Sequence, residues 1–112
     1  YYNSPTLNIK NFPSNQAISS KTCAVLRNYM KNVVENGTGF NAQYKSQTAG
    51  KTATAQSGIY VDGKEKLNTW FVGFYPYDNP KYSIVVMREG GKSGAGDCCP
   101  VFRTIVEKID NM

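Results

Sequence analysis

The stretch QTAGKTATAQSG, residues 47–58, places Lys51 between a glycine and a threonine among small, polar residues. Such a lysine could bind a phosphate group, take part in catalysis, or be an ordinary solvated cation on a strand. A phosphate-binding loop also needs a glycine six positions earlier, where the backbone curls around the anion. That position holds Lys45, and lysine adopts glycine's backbone conformations only at a cost. A nucleotide loop is therefore disfavoured.

Other residues narrow the possible chemistry. The chain has no histidine, so proton transfer falls to Lys, Tyr or carboxylate groups. Its cysteines are Cys23, Cys98 and Cys99, an odd number with two adjacent, which makes neither a disulfide framework nor a Cys-x-x-Cys zinc site. We expect small, buried thiols. The sequence implies no metal and no cofactor.

The 112 residues suit one domain or a piece of one. Thirteen Lys and Arg against eight Asp and Glu give a net charge of +5. Because these cations are spread along the chain, they favour anionic partners in general and do not indicate nucleic acid. The sequence has no apolar run of membrane-spanning length and no apolar signal core at its start. We expect a soluble chain, although a longer parent could be membrane-anchored or exported.

Two helices are predicted to flank the central part of the chain. Residues 1–18 resemble an extended lead-in. A helix is predicted over residues 20–36, with Ser19 or Ser20 as its cap and Gly37 just past its end. Its apolar stripe contains Leu26, Met30, Val33 and Val34. A final helix is predicted from Pro100 onward, with apolar positions at Phe102, Ile105, Val106 and Ile109.

Three strands are predicted between the helices. Threonines alternate along residues 47–56, which is typical of a strand with one wet face. Residues 69–76 and 82–88 are dense in β-formers, and we expect Trp70 and Phe71 in the core. Residues 89–97, EGGKSGAGD, are predicted to form a flexible connector. The fold class is α+β, a three-stranded antiparallel meander with flanking helices.

Five segments occur in an order that resembles a known family. They are ISSKTCAVLRNYMKNVVENGTG, AGKTATAQ, WFVGFYP, YSIVVMREGG and PVFRTIVEKI. From about residue 17 onward, the chain is similar to the C-terminal part of the transpeptidase domain of penicillin-binding proteins, class B type. The resemblance implies that residues 1–112 are an incomplete segment of the β-lactamase/transpeptidase-like fold.

In that family a serine acyltransferase site combines Ser-x-x-Lys, Ser-x-Asn and Lys-Thr-Gly motifs. The third motif matches Lys51, Thr52 and Ala53, followed by Thr54. The resemblance implies that Lys51 is catalytic and supplies positive potential. It also implies that the Thr52 and Thr54 hydroxyls bind the substrate's terminal carboxylate. The Thr54 amide would be one hydrogen-bond donor of the oxyanion hole. Alanine at position 53 replaces the family's glycine, so we expect an altered fit with function retained.

No Ser-x-x-Lys and no Ser-x-Asn occur in the chain. The resemblance therefore implies a nucleophile outside this chain, which should be inactive alone. The implied ligands are β-lactams and a peptidoglycan stem peptide ending in D-Ala-D-Ala, at the extracytoplasmic face of a bacterial membrane. The implied protein partner is the missing N-terminal part of the domain, or a second copy through residues 82–88. Two alternatives remain. The chain could belong to a related β-lactamase or β-lactam sensor, or it could be a small basic module that binds nucleic acid or wall polymer.

Overall fold

The computed structural model describes residues 13–112, so most of the predicted lead-in over residues 1–18 lies outside the described residues. The elements confirm an α+β arrangement of helices around three strands. In chain order they are helix α1 (Ser20–Asn36), a 3-10 turn (Phe40–Ala42), strands β1 (Ala49–Val61), β2 (Lys64–Tyr75) and β3 (Tyr82–Gly91), and helices α2 (Gly94–Asp97) and α3 (Cys99–Asp110).

Helix α1 has the predicted bounds because both of its ends carry local signals. The Ser19 hydroxyl accepts a hydrogen bond from the Thr22 amide (3.1 Å), which satisfies one of the free donors of the first turn. At the other end the Gly37 amide donates to the Val33 carbonyl (3.0 Å). The predicted apolar stripe is only partly covered: Val34 is fully buried, whereas Leu26 is 46% exposed.

The sheet is the predicted antiparallel meander, with strand order β1-β2-β3. Strand β1 is longer than the predicted residues 47–56, because a bulge between Gln56 and Tyr60 lets pairing with β2 continue to Val61. The hairpin closes at Asp62 and Gly63, whose φ angles of 52° and 75° are those of a two-residue turn that favours glycine. Strand β2 consequently begins at Lys64, five residues before the predicted start.

One side of the sheet, which we call the packed face, consists of Thr69, Phe71, Gly73 and Tyr75 on β2 and Ile84 and Val86 on β3. Helix α3 contributes Phe102 and Val106 to the same core. The Phe71 and Phe102 rings meet edge-on, with centroids 4.7 Å apart. A Cβ on Gly73 would lie 2.8 Å from the Phe102 ring, so glycine is required for this close approach.

The other side, which we call the open face, consists of Lys51, Ala53, Trp70, Val72, Val85 and Met87, because side chains alternate along paired strands. Its apolar residues stay accessible: Val85 is 58% exposed and Met87 48%. The expectation that both Trp70 and Phe71 lie in the core was wrong for Trp70, which is half-buried. These neighbours point to opposite faces, and only one face is covered by α3.

Residues 89–97 form ordered structure, so the prediction of a flexible connector was wrong. Strand β3 continues to Gly91, and the Ser93 hydroxyl caps α2 by accepting from the Gly96 amide (3.0 Å). The Asp97 side chain stabilises the turn by accepting hydrogen bonds from the Lys92 amide (2.6 Å) and the Ser93 amide (2.9 Å). Glycines here serve a tight packed turn.

The three cysteines are free thiols in two environments. Cys98 and Cys99 are buried as expected, and burial raises the pKa of Cys99 to about 11, so this thiol stays protonated at neutral pH despite its place at the start of α3. Cys23 is exposed, which contradicts the expectation of three buried thiols. Within residues 13–112, no helix is both long enough and apolar enough to span a bilayer.

Candidate functional site

The β1 strand lies at an edge of the sheet. It pairs with β2 on one side, and no strand within residues 13–112 pairs with its other side. Antiparallel pairing uses the backbone groups of alternate residues, so every second residue of β1 directs its N–H and C=O groups away from β2. Such an edge can accept an extended peptide by backbone hydrogen bonding.

Lys51 lies on this edge strand with its side chain exposed. Its ammonium group donates to the Thr52 carbonyl (3.1 Å). A phosphate-binding lysine follows a glycine-rich loop that leads into a helix, whereas Lys51 is the third residue of a strand. The structure therefore rules out the nucleotide-loop interpretation.

The small residue before Lys51 has a cause inside the molecule. A Cβ on Gly50 would lie 2.3 Å from the Phe71 ring and 2.7 Å from the Val72 carbonyl, closer than carbon atoms can approach. Glycine at this position thus lets β1 pack against the core residue Phe71. Internal packing is therefore a sufficient reason for a residue without a side chain at position 50.

The four predicted site residues do not share one face. Lys51 is opposite Val72 and Ala53 is opposite Trp70 on the open face, whereas Thr52 is opposite Phe71 and Thr54 is opposite Thr69. The two threonine side chains therefore emerge on the side of the packed face. A single ligand that reaches both pairs must lie along the edge itself.

Thr38 is a neighbour of the site that the sequence analysis missed. Its hydroxyl is 2.8 Å from the Thr52 hydroxyl, in the turn that follows α1. This contact joins residues that are 14 positions apart in the sequence, with a turn and a 3-10 segment between them, so no local sequence pattern predicts it. Either hydroxyl can donate in this contact. When Thr38 donates, the Thr52 hydroxyl is held in place and its own proton remains available to an acceptor such as a carboxylate.

The turn between β3 and α2 borders the site from the side of the packed face. Gly94 is buried, and a Cβ there would lie 3.2 Å from the Thr52 Cβ and 3.2 Å from the Ala53 carbonyl oxygen. The same Cβ would lie 2.5 Å from the Trp70 carbonyl oxygen. The turn is therefore in direct contact with the backbone of the strand that carries Lys51.

A second cluster of charged and phenolic groups lies at the C-terminal end of α3. The Asp110 carboxylate accepts from Lys45 (2.7 Å), Tyr44 (3.0 Å) and Tyr75 (2.6 Å). These hydrogen bonds, with that of Lys45 the largest, lower the pKa of Asp110 to about 2. None of these residues was predicted to belong to the site.

No group of three or more His, Cys, Asp or Glu in residues 13–112 is placed to hold a metal ion. The groups available at the β1 edge are an ammonium group, two hydroxyls and outward-facing backbone groups. This set can bind an anionic, extended peptide-like ligand, because it offers positive charge and several hydrogen-bond donors.

Comparison with known proteins decides the family. The profile of the "Penicillin binding protein transpeptidase domain" family matches residues 8–107. This chain belongs to that family. It is 35% identical to "Peptidoglycan D,D-transpeptidase FtsI" of Buchnera aphidicola, over 91% of this chain and 19% of that protein.

A second relative and a solved structure agree with the family. "Peptidoglycan D,D-transpeptidase MrdA" of Haemophilus influenzae is 34% identical over 70% of this chain and 14% of that protein. The D,D-transpeptidase domain of a peptidoglycan glycosyltransferase from Eggerthella lenta superposes with a TM-score of 0.70 at 29% identity, over 86% of this chain and 21% of that chain. This chain thus spans only about one fifth or less of the length of these relatives.

Proposed function

We propose that this chain is the C-terminal part of the catalytic domain of a penicillin-binding D,D-transpeptidase that crosslinks peptidoglycan. Its β1 edge binds the donor stem peptide ending in D-Ala-D-Ala, and β-lactams occupy the same place. The observation that supports this proposal is the position of Lys51, exposed on a strand whose outer side pairs with no other strand within residues 13–112.

Each residue of the motif has a distinct role in this proposal. Lys51 attracts the anionic ligand and stabilises negative charge near the reacting carbonyl. The Thr52 and Thr54 hydroxyls bind the terminal carboxylate, and the Thr54 amide donates one hydrogen bond to the oxyanion. Ala53 adds a methyl group on the open face where the family has glycine, which alters the fit while the backbone keeps its extended geometry.

The reaction is acyl transfer through a serine that lies outside this chain. The serine oxygen bonds to the carbonyl carbon of the penultimate D-Ala, and its proton passes to a neighbouring base. The peptide bond to the terminal D-Ala then breaks, and that residue leaves as a protonated amine. An amine of a second stem peptide attacks the resulting ester, forms the crosslink and returns the serine hydroxyl.

The substrate determines where the parent protein acts. Peptidoglycan stem peptides lie outside the cytoplasm, so we place the parent at the extracytoplasmic face of a bacterial membrane, anchored by a segment other than residues 13–112. The relatives named as peptidoglycan D,D-transpeptidases support this placement. The other partner in this proposal is the preceding part of the same domain, which carries the nucleophile.

Replacing Lys51 in the full-length protein tests the proposal. We expect Lys51→Ala to slow acylation by a labelled β-lactam by roughly a hundredfold or more, as when a main electrostatic donor is removed from an active site. Lys64→Ala is the matched control, because Lys64 is an exposed lysine of the same sheet at the far end of the hairpin. That control should acylate at the normal rate. Normal acylation by Lys51→Ala would remove Lys51 from the mechanism.

The chain on its own provides a second test. Because the nucleophile is proposed to lie on other residues, the chain incubated with the same labelled β-lactam should form no covalent adduct. Mass spectrometry of the intact chain measures this directly. A stable adduct would mean that the nucleophile is one of these 112 residues.

A further inference from the structure

The Asp97 carboxylate joins three parts of the chain next to the β1 edge. Its Oδ2 atom accepts from the Lys92 amide (2.6 Å), the Ser93 amide (2.9 Å) and, at 3.4 Å, the Thr69 hydroxyl of β2. Its Oδ1 atom accepts from Arg88 of β3 (3.0 Å). The Ser93 and Lys92 amides are the main reason that the pKa of Asp97 lies below its ordinary value.

The surrounding sequence makes room for this carboxylate. A Cβ on Gly91 would lie 2.6 Å from the Asp97 Oδ2 atom and 2.3 Å from the Thr69 hydroxyl, so a larger residue would push the carboxylate out. The Asp97 amide also donates to the Ser93 carbonyl (2.9 Å). Backbone and side chain of one residue thus hold the same short turn.

The turn that Asp97 holds is the one that touches the proposed substrate edge. Gly94 follows Ser93 directly and packs on the Thr52 Cβ and the Ala53 carbonyl. The Asn41 amide group donates to the Ala95 carbonyl (3.2 Å) from the other side. Displacement of the turn would therefore change the support beneath Thr52 and Ala53.

We propose that Asp97 is a positioning residue for the reaction: by fixing the turn of Lys92–Gly94 against the Thr52 Cβ and the Ala53 carbonyl, it sets the position of the edge that binds the ligand carboxylate. This inference rests on the proposed function. Asp97 acts through Thr52 and does not touch the ligand. Its loss should impair acylation more than its effect on folding explains.

The test measures β-lactam acylation by the full-length protein, with rates expressed per titrated active site so that unfolded protein does not count. Asp97→Asn removes the charge and keeps the side chain's shape. We expect a roughly tenfold loss of the second-order acylation constant, smaller than the roughly hundredfold cost of displacing a reacting group by 1 Å. Asp110→Asn, in the separate cluster at the C-terminal end of α3, should acylate normally.

A double-mutant cycle separates positioning from general damage. If Asp97 acts through Thr52, the loss in the variant with both Asp97→Asn and Thr52→Val should be smaller than the product of the two single losses, because residues that act together are not additive. Should Asp97→Asn fold poorly, Ser93→Ala removes the cap of α2 and leaves the carboxylate's amide partners in place. It should lower acylation in the same direction by a few-fold.

The outcomes are distinct. A normal rate per active site in Asp97→Asn, or in Ser93→Ala where Asp97→Asn does not fold, overturns the positioning role while the proposed function stands. So does an Asp97→Asn loss that multiplies fully with that of Thr52→Val. An equal loss in Asp110→Asn also overturns it, because the effect would then follow from losing any hydrogen-bonded carboxylate and not from the turn beside β1. Absence of acylation in the wild-type full-length protein overturns the proposed function, and this inference with it.

Discussion

The two faces of the sheet are built from the same three strands and differ in what covers them. On the packed face, Phe71 and the α3 residues Phe102 and Val106 are completely buried. On the open face, Val72 is 42% exposed and Val85 58%. Apolar content alone does not separate the two faces, since both carry β-branched and aromatic residues.

Among the described residues, α1 covers the open face at one end. The Arg27 guanidinium lies 5.9 Å from the Phe74 ring centroid and 5.0 Å from that of Tyr77. Lys51 and the exposed apolar residues lie on the rest of the open face, beyond this contact. A packed face provides stability, whereas an accessible apolar face is typical of an interaction surface. We expect substitutions to affect stability on the packed face and interactions on the open face.

The largest expected effect is on stability at the packed face. Phe102→Ala should lower the free energy of unfolding by about 3–5 kcal/mol, because it removes a fully buried ring and leaves a cavity. Urea unfolding of the chain, followed by circular dichroism, measures the change. Val85→Ala on the open face should change it by about 0.5 kcal/mol or less, as for most exposed positions. Equal losses in the two variants would show that the open face is packed in solution.

The elements that the sequence predicted well depend on local signals. The Ser19 cap and the Gly37 end of α1 were found in this way, and each makes its interactions within a few residues. The ordered turn before α3 was missed, because its order comes from a carboxylate, Asp97, that reaches Arg88 and Thr69 on two strands. Composition shows only a glycine-rich segment.

The candidate site was predicted through the motif at Lys51, and the structure adds its surroundings. The position of Lys51 on an exposed edge depends on which strands are neighbours, and a sequence pattern does not give that order. Thr38 lies beside Thr52 because α1 and the 3-10 turn return the chain to β1. Trp70 was misassigned because an apolar run does not reveal which of its alternate residues faces the covered side.

The next effect in size concerns the outer edge of β3. No strand within residues 13–112 pairs with this edge, and its exposed apolar residues make it a site for pairing with another chain. We expect the isolated chain to dimerise through residues 82–88. Val85→Lys should weaken this dimer roughly tenfold or more, because an edge lysine opposes strand addition. Sedimentation equilibrium measures the dissociation constant.

Val72→Lys is the control for that experiment. Val72 lies on the same open face but in the central strand, opposite Val85 in the register. If pairing occurs at the edge, Val72→Lys should weaken the dimer much less than Val85→Lys. Equal weakening would indicate that the faces stack on each other. A monodisperse monomer with β3 amides protected from hydrogen exchange would contradict both arrangements.

The smallest expected effect is the pH dependence from the cluster at the end of α3. The pKa of Asp110 falls from 3.8 to about 2 in the folded chain, so its contribution to stability is present above pH 3.8 and is lost as the pH falls toward 2. The pKa of Tyr75 rises from 10.0 to about 12 because its hydroxyl donates to Asp110. Its contribution is present below pH 10.0 and is lost as the pH rises toward 12.

Asp110→Asn should remove the acidic dependence, since the amide group does not ionise, and reduce the alkaline one, since Tyr75 then keeps mainly the part of its pKa shift that burial causes. Melting temperatures measured from pH 2 to 12 should converge for the wild type and the variant at both extremes and differ between them. Added salt should reduce the difference, because Lys45 is 63% exposed in its ion pair with Asp110 and such pairs are screened. A difference that stays constant across the whole range would show that Asp110 acts by shape and not by charge. The cluster would then belong with the neutral contacts of the packed face.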